Sequence, residues 1–257
     1  MALHWEKEDG RIAVITLDEP DARNALTAEA RDGLRAALNA LDDDADVDAL
    51  VIIGADGNFC AGGDVRTMGE TSRRAVERRM GEVAKTAEML AAFPKPVICA
   101  VAGHAAGAGV SLACLADIVI AEDSATFTFS HLRLALGPDW GLSYTLPRRV
   151  GPGVAKRLIL SAGAIDGEEA HRLGLVDLVT FEGEALQAAR ATARELAGRP
   201  KAAIAAVKGM LGDLDALRAA LAAETKMQIE RFPHAEHQEA AAAFREKRKP
   251  DFTFGRG

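Results

Sequence analysis

VIIGADGNFCAGGD (51–64) and VICAVAGHAAGAGVSLA (97–113) follow one pattern: a short, uninterrupted apolar run, then a glycine-rich turn, then small residues. A continuous apolar run of this length, bounded by turn signals, predicts a parallel strand buried on both faces. Small residues where such a strand meets a helix start leave backbone N–H groups able to approach a ligand without side-chain obstruction. Two such units on neighbouring strands can aim two donors at one oxygen, which is the arrangement of an oxyanion hole. Either unit alone is equally consistent with a tight turn and close helix packing. Neither carries the lysine of a phosphate-binding Walker loop. The G-x-G-x-x-G order of a dinucleotide fold is absent after the first strand, where it belongs.

Outward from these units, RIAVITL (11–17) reads as a strand closed by Asp18-Glu19-Pro20. Thr27 offers an N-cap for a helix to Leu41, with Ala30, Leu34, Ala37, Leu38 and Leu41 on one face. Ser72 to Phe93 is predicted helical, halted by Pro94 and Pro96, and Ile118 to Ala121 gives a further strand. Strands alternating with helices imply right-handed parallel crossovers and an α/β core. Beyond Pro147 the pattern turns almost wholly helical. Segments fall near 154–161, 166–173, 183–197 and 201–211, and one long alanine-rich helix runs from about Asp213 to Phe244. The acidic stretch Asp42–Asp48 reads as a solvated connection rather than a metal site.

The chain has 257 residues, 49% hydrophobic and 27% charged, which excludes a mainly disordered protein. Its 31 Lys plus Arg against 38 Asp plus Glu give a charge of −7, the wrong sign for a non-specific nucleic-acid partner. With aromatics at only 5%, the core must come from aliphatic and small side chains. Cys60, Cys99 and Cys114 lack metal-ligand spacing and read as free thiols in a reducing compartment. No run reaches a membrane span and the amino-terminal stretch lacks a signal pattern, so the expected setting is cytoplasmic, with no membrane partner.

FCAGGD (59–64) and AGHAAGAGVSLACLADIVIA (102–121), with RNAL (23–26), LGLVD (173–177) and FREKRKPDF (244–252), resemble the crotonase, or enoyl-CoA hydratase/isomerase, superfamily in order and spacing. The resemblance implies a spiral of ββα repeats over 1–195 and a carboxy-terminal helical trimerisation region over 196–257. It also implies a homotrimer, or a homohexamer made of two trimers, and an acyl-CoA thioester substrate. No metal or redox cofactor is expected, coenzyme A being part of the substrate. Carried over by position, the oxyanion donors are the N–H groups of Gly63 and Ala108, the latter replacing the usual glycine. Coenzyme A is expected along Arg23, Ala25, Ala61 and Asp64. Phe244 and Lys247 would reach its nucleotide end from a neighbouring subunit, although Lys247 also suits a solvated basic run.

Hydratases of the family place one glutamate at the position of Ser111 and a second at that of His131, so the resemblance disfavours ordinary hydration here. Eight residues after His131 stands Asp139, in LGPDWG (136–141), where several isomerase branches carry an aspartate. The stretch GPDWGLSYTLPRRVG (137–151) resembles most the branch that isomerises epoxide and oxepin thioesters of phenylacetate degradation. Asp139 is thus the candidate base, with a helix N-cap as its structural alternative. His131 is read as a substrate-pocket liner and Ser111 as a packing residue. The expectation is an acyl-CoA isomerase working through an enolate. The alternatives are a hydratase with atypical residues, a β-diketone-type C–C hydrolase, or a non-catalytic acyl-CoA-binding homologue.

Overall fold

The computed structural model describes residues 2–67, 69 and 71–253. Strand β1 (Leu3–Glu8) and strand β2 (Ile12–Leu17) form a hairpin, and Thr27 then caps helix α1 (Ala28–Asp43) by accepting the Ala30 N–H at 3.1 Å. Strand β3 (Ala49–Gly54), helix α2 (Arg73–Ala91), strands β4 (Val97–Val101) and β5 (His104–Ala106) and helix α3 (Ala108–Leu115) follow. Strands β6 (Ile118–Glu122) and β7 (Thr126–Thr128) then lead to helices α4 (Leu142–Val150) and α5 (Pro152–Ser161). The chain closes with β8 (Ala164–Asp166), α6 (Gly167–Arg172), β9 (Leu178–Thr180), α7 (Ala185–Ala197), α8 (Lys201–Leu211), α9 (Leu214–Arg231) and α10 (Ala235–Arg245).

A six-stranded sheet runs β1-β2-β3-β4-β6-β9, parallel from β2 onward, and a three-stranded sheet runs β5-β7-β8. Two successive coils, β4-β5-α3 and β6-β7-α4, each give one strand to the large sheet and the next to the small one before a helix, and after β3 Cys60 makes an isolated parallel bridge to Ala105 of β5. That is the expected spiral of ββα units. The central strands are buried on both faces, as their uninterrupted apolar runs predict. On the outer face, Ala185, Ala189 and Ala193 of α7 bring the helix backbone close against Ile12, Val51, Ile98 and Ile120. Each large aliphatic side chain so buried contributes about 1.5–3 kcal/mol. The three cysteines are free and buried.

One predicted element is corrected. The long helix read from Asp213 to Phe244 is two helices, α9 and α10, separated at Phe232–His234. Pro233 supplies no backbone N–H and its ring crowds the preceding turn, so the first helix ends there. His234 restarts the chain with its side chain accepting from the Glu236 N–H. The break lets α9 fold back on α2 and α4 with Leu217 and Leu221 buried, while α10 packs beside residues 130–134.

Candidate active site

The two glycine-rich units meet where β3 and β4 end. Residues 59–61 lie alongside β5: Phe59 N–H donates to the Ala102 carbonyl at 2.9 Å, Cys60 N–H to His104 at 2.9 Å, and Ala106 N–H to Cys60 at 2.9 Å. Gly62 then turns with φ +94°, and a Cβ there would lie 2.5 Å from the Ala106 carbonyl oxygen and 3.3 Å from the Ala108 nitrogen. Gly63, the next residue, is thereby held beside the start of α3. Gly107 precedes α3 with φ +51°, and Ala108, its first residue, keeps a negative φ, so the methyl group that replaces the usual glycine hydrogen causes no backbone strain. A first-turn N–H has no acceptor within its own helix, and the helix dipole adds partial positive charge at that point. All eight residues of α3 are buried.

Asp139 stands in the turn before α4, half-buried, with its Oδ1 3.3 Å from the Nε2 of His131. The His131 ring is 94% buried by side-chain area, its exposure being 6%, and Nε2 lies 3.9 Å from the position a Gly107 Cβ would take. The imidazole thus bridges the carboxylate and the start of α3. Asp139 does not cap α4. Glu224 of α9 serves the start of that helix instead, accepting from Gly141 N–H at 2.8 Å, Ser143 N–H at 2.9 Å and Ser143 Oγ at 2.6 Å. Burial raises the Glu224 pKa, and nearby Asp139 adds to the rise, while these hydrogen bonds oppose it. Gln228, one turn further along α9, donates to the Gly137 carbonyl at 2.9 Å. Trp140 and Gly141 both adopt left-handed backbone, φ +56° and +78°. For the non-glycine residue this costs about 1–3 kcal/mol and is held by the surrounding contacts. Ser111 Oγ, wholly buried, turns back to the Gly107 carbonyl at 3.4 Å, the geometry of a packing residue.

Residues 7–255 match the family model described as enoyl-CoA hydratase/isomerase. The chain belongs to the enoyl-CoA hydratase/isomerase family. Among its relatives, a Rhodobacter capsulatus protein named "probable enoyl-CoA hydratase" is 39% identical, covering 98% of this chain and 97% of that one. The 1,2-epoxyphenylacetyl-CoA isomerase of Escherichia coli is 34% identical over 94% and 95% of the two chains. The crystal structure of an enoyl-CoA hydratase from Mycobacterium avium subsp. paratuberculosis superposes with a TM-score of 0.89 at 29% identity, covering 98% of this chain and 99% of that one. Relatives named as hydratases outnumber those named as isomerases.

The other residues singled out in this family member divide by position. Arg23, with φ +49°, is exposed, and its carbonyl accepts from Ala61 N–H at 3.0 Å, which ties RNAL to the first glycine-rich unit. Leu26 N–H donates to the Gly62 carbonyl at 2.7 Å, and Ala25 is buried between these contacts. Burial works against ionisation of Asp64, but hydrogen bonds from Arg66 hold its carboxyl below the usual range. Phe244 and Lys247 are exposed at the end of α10 and are not packed against the site within one chain. Sequence reasoning missed the His131–Asp139 contact and the support from Glu224 and Gln228. The i, i+4 spacing of the latter two on α9 was the available signal, two polar residues in an otherwise core-facing row. A cavity of about 710 Å³ between α4, α8 and α9, lined by Leu115, Tyr144, Val207 and Leu214, includes none of these groups.

Proposed function

We propose that this enoyl-CoA hydratase/isomerase family protein shifts the double bond of a 3-enoyl-CoA to C2, with Asp139 as the single base. The observation that carries the reading is the Asp139 carboxylate against His131, whose ring reaches the start of α3, with a serine at 111 whose hydroxyl is turned back onto its own helix. The thioester oxygen accepts from the N–H groups of Gly63 and Ala108, which makes the C2 proton acidic. Asp139 removes that proton, the electron pair passes through C2 to the thioester oxygen, and the dienolate is held by the two donors. The protonated carboxyl then returns the proton at C4. Positioned proton transfer of this kind contributes about 10²–10⁴-fold in rate. Coenzyme A extends along Arg23, Ala25, Ala61 and Asp64, and assembly as a trimer or as a pair of trimers brings Phe244 and Lys247 of one chain to the nucleotide end in another. Hydration of a 2-enoyl-CoA is the second reading, favoured by the names of most relatives and by an imidazole–carboxylate contact able to orient a water.

Incubation with a 3-enoyl-CoA and, separately, a 2-enoyl-CoA distinguishes the two by the conjugated thioester absorbance, which rises on isomerisation and falls on hydration. Asp139→Asn is expected to lower isomerisation at least about 10²-fold with acyl-CoA binding retained. Near wild-type turnover by the folded variant would remove Asp139 from the mechanism.

A further inference from the structure

We propose that Arg31 makes this protein selective for acyl groups that carry a carboxylate at their far end, an inference that rests on the acyl-CoA reading of the site. Arg31 lies in the first turn of α1, where exposed helix N–H groups already present positive charge and a cation is disfavoured. Its Nη1 donates to the Leu26 carbonyl at 2.7 Å, while Nε is buried and has no hydrogen-bond partner. The surrounding carboxylates are otherwise engaged: Asp32 and Glu82 pair with Arg35, and Asp139 faces His131. Among the described residues none forms an ion pair with Arg31. Burial, and then the neighbouring Arg79, push its pKa down, with Asp32 and Asp139 pulling the other way. The Arg79 guanidinium, over the Phe232 ring at 5.0 Å, adds a second positive charge to the same region between α1, α2 and α9.

Arg31 as a whole is only partly buried, but its enclosed Nε has no hydrogen-bond partner, and an unmet buried donor is disfavoured, so an anionic ligand would complete the group. The position selects the anion. The Leu26 carbonyl accepts from Arg31 and the Leu26 N–H donates to the Gly62 carbonyl, which places the guanidinium beside the first glycine-rich unit. An acyl chain whose thioester is held at Gly63, the residue after Gly62, thus starts close to Arg31. The coenzyme leaves instead past exposed Arg23 and Ala61. With Nη1 occupied, the Nε–Nη2 edge presents two parallel donors, the pair that grips a carboxylate.

The test compares 3-hexenoyl-CoA with 3-hexenedioyl-CoA in turnover, and hexanoyl-CoA with adipoyl-CoA and free coenzyme A in calorimetric binding. The wild type is expected to prefer the carboxylate-ended member of each pair by roughly tenfold or more, because a site built to meet a polar group rejects the analogue that lacks it. In Arg31→Met that ratio should fall to near one, with Arg31→Lys in between. Absence of turnover on both 3-enoyl substrates would count against isomerisation alone, since the saturated pair still reports on Arg31. Equal affinity of the wild type for adipoyl- and hexanoyl-CoA would overturn the proposal. So would an Arg31→Met loss shared equally by free coenzyme A, which marks a phosphate contact. An Arg31→Met chain that cannot fold would overturn it too, because the guanidinium would then have its partner within the protein.

Discussion

Gly109 has no room for a methyl group: a Cβ there would lie 2.4 Å from the Cys60 carbonyl oxygen and 2.9 Å from the Cys60 Cβ. The contact is between α3, which begins with the candidate donor Ala108, and Cys60, three residues before the candidate donor Gly63. Gly109→Ala must therefore move α3 away from Gly63, and overpacking of this kind costs about 1–3 kcal/mol. Loss of one oxyanion donor alone costs about 10²–10³ in turnover. The expected outcome is a folded variant with a lower urea midpoint, acyl-CoA binding largely kept and kcat down at least about tenfold. Gly57 provides the control: it also has positive φ, +69°, but nothing lies within 4 Å of its would-be Cβ. Gly57→Ala should lower stability through backbone strain and leave kcat where it was. Equal kcat for Gly109→Ala and wild type would show that the approach of α3 to Cys60 does not set the donors.

At the level of elements, α9 is a brace for the turn that holds Asp139. Glu224 satisfies three donors of residues 141 and 143 from more than eighty positions away, and Gln228 secures Gly137. Glu224→Ala leaves the buried Gly141 N–H unmet, at about 1–3 kcal/mol, while water can serve the donors of exposed Ser143. A loss of about 1–3 kcal/mol in urea unfolding is expected, with Glu224→Gln recovering part of it, because an amide offers one acceptor oxygen where the carboxylate offered two. Both variants should lower kcat more than they raise KM, since the turn they loosen carries the base. Unchanged stability in Glu224→Ala would mean that water enters and replaces the carboxylate. This brace also marks the limit of what could be read from the chain. The central strands and α1 were legible because their patterns are local: Thr27 caps at three residues' distance and Leu34, Leu38 and Leu41 share a face. The strands of the small sheet were not, since three residues are too few for a period to emerge and their pairing is decided by distant partners. Residues 59–64 were singled out by their glycine-rich pattern, and 23–26 and 139 by the resemblance. The contacts of His131 and Glu224 depend on how the spiral closes, which no short window contains. Arg31 stands in no motif, and the enclosure of its Nε emerges only in the fold.

For the whole molecule, buried or tethered carboxylates decide how it responds to acid. Burial alone would raise the Asp48 pKa, but Arg11 and Lys201, the latter at 2.6 Å, hold it below the usual range and so fasten the start of β2 and the start of α8 to β3. Hydrogen bonds from Arg248 and the Asp251 N–H bring Glu239 from the ordinary 4.5 down to about 2, fixing the tail after α10. Such groups bind fewer protons in the folded chain than in the unfolded one. Their stabilisation is full above the ordinary carboxylate range and is lost as pH falls through their lowered values. Glu224 has the opposite sign: its raised pKa favours the folded state at low pH, and that contribution is lost as pH rises through the raised value. Lowered carboxylates outnumber it, with Asp44 and Asp64 in the same group as Asp48 and Glu239, so unfolding free energy should drop on acidification with net proton uptake. Asp48→Asn isolates one contribution. It should cost about 2 kcal/mol near pH 6, the scale of a buried hydrogen bond to a charged group, and the deficit should shrink as the wild-type carboxylate itself becomes protonated. Urea unfolding of the two proteins across pH 6 to 3 reads this directly. A deficit of constant size over that range would assign the loss to packing rather than to the charge between Arg11 and Lys201.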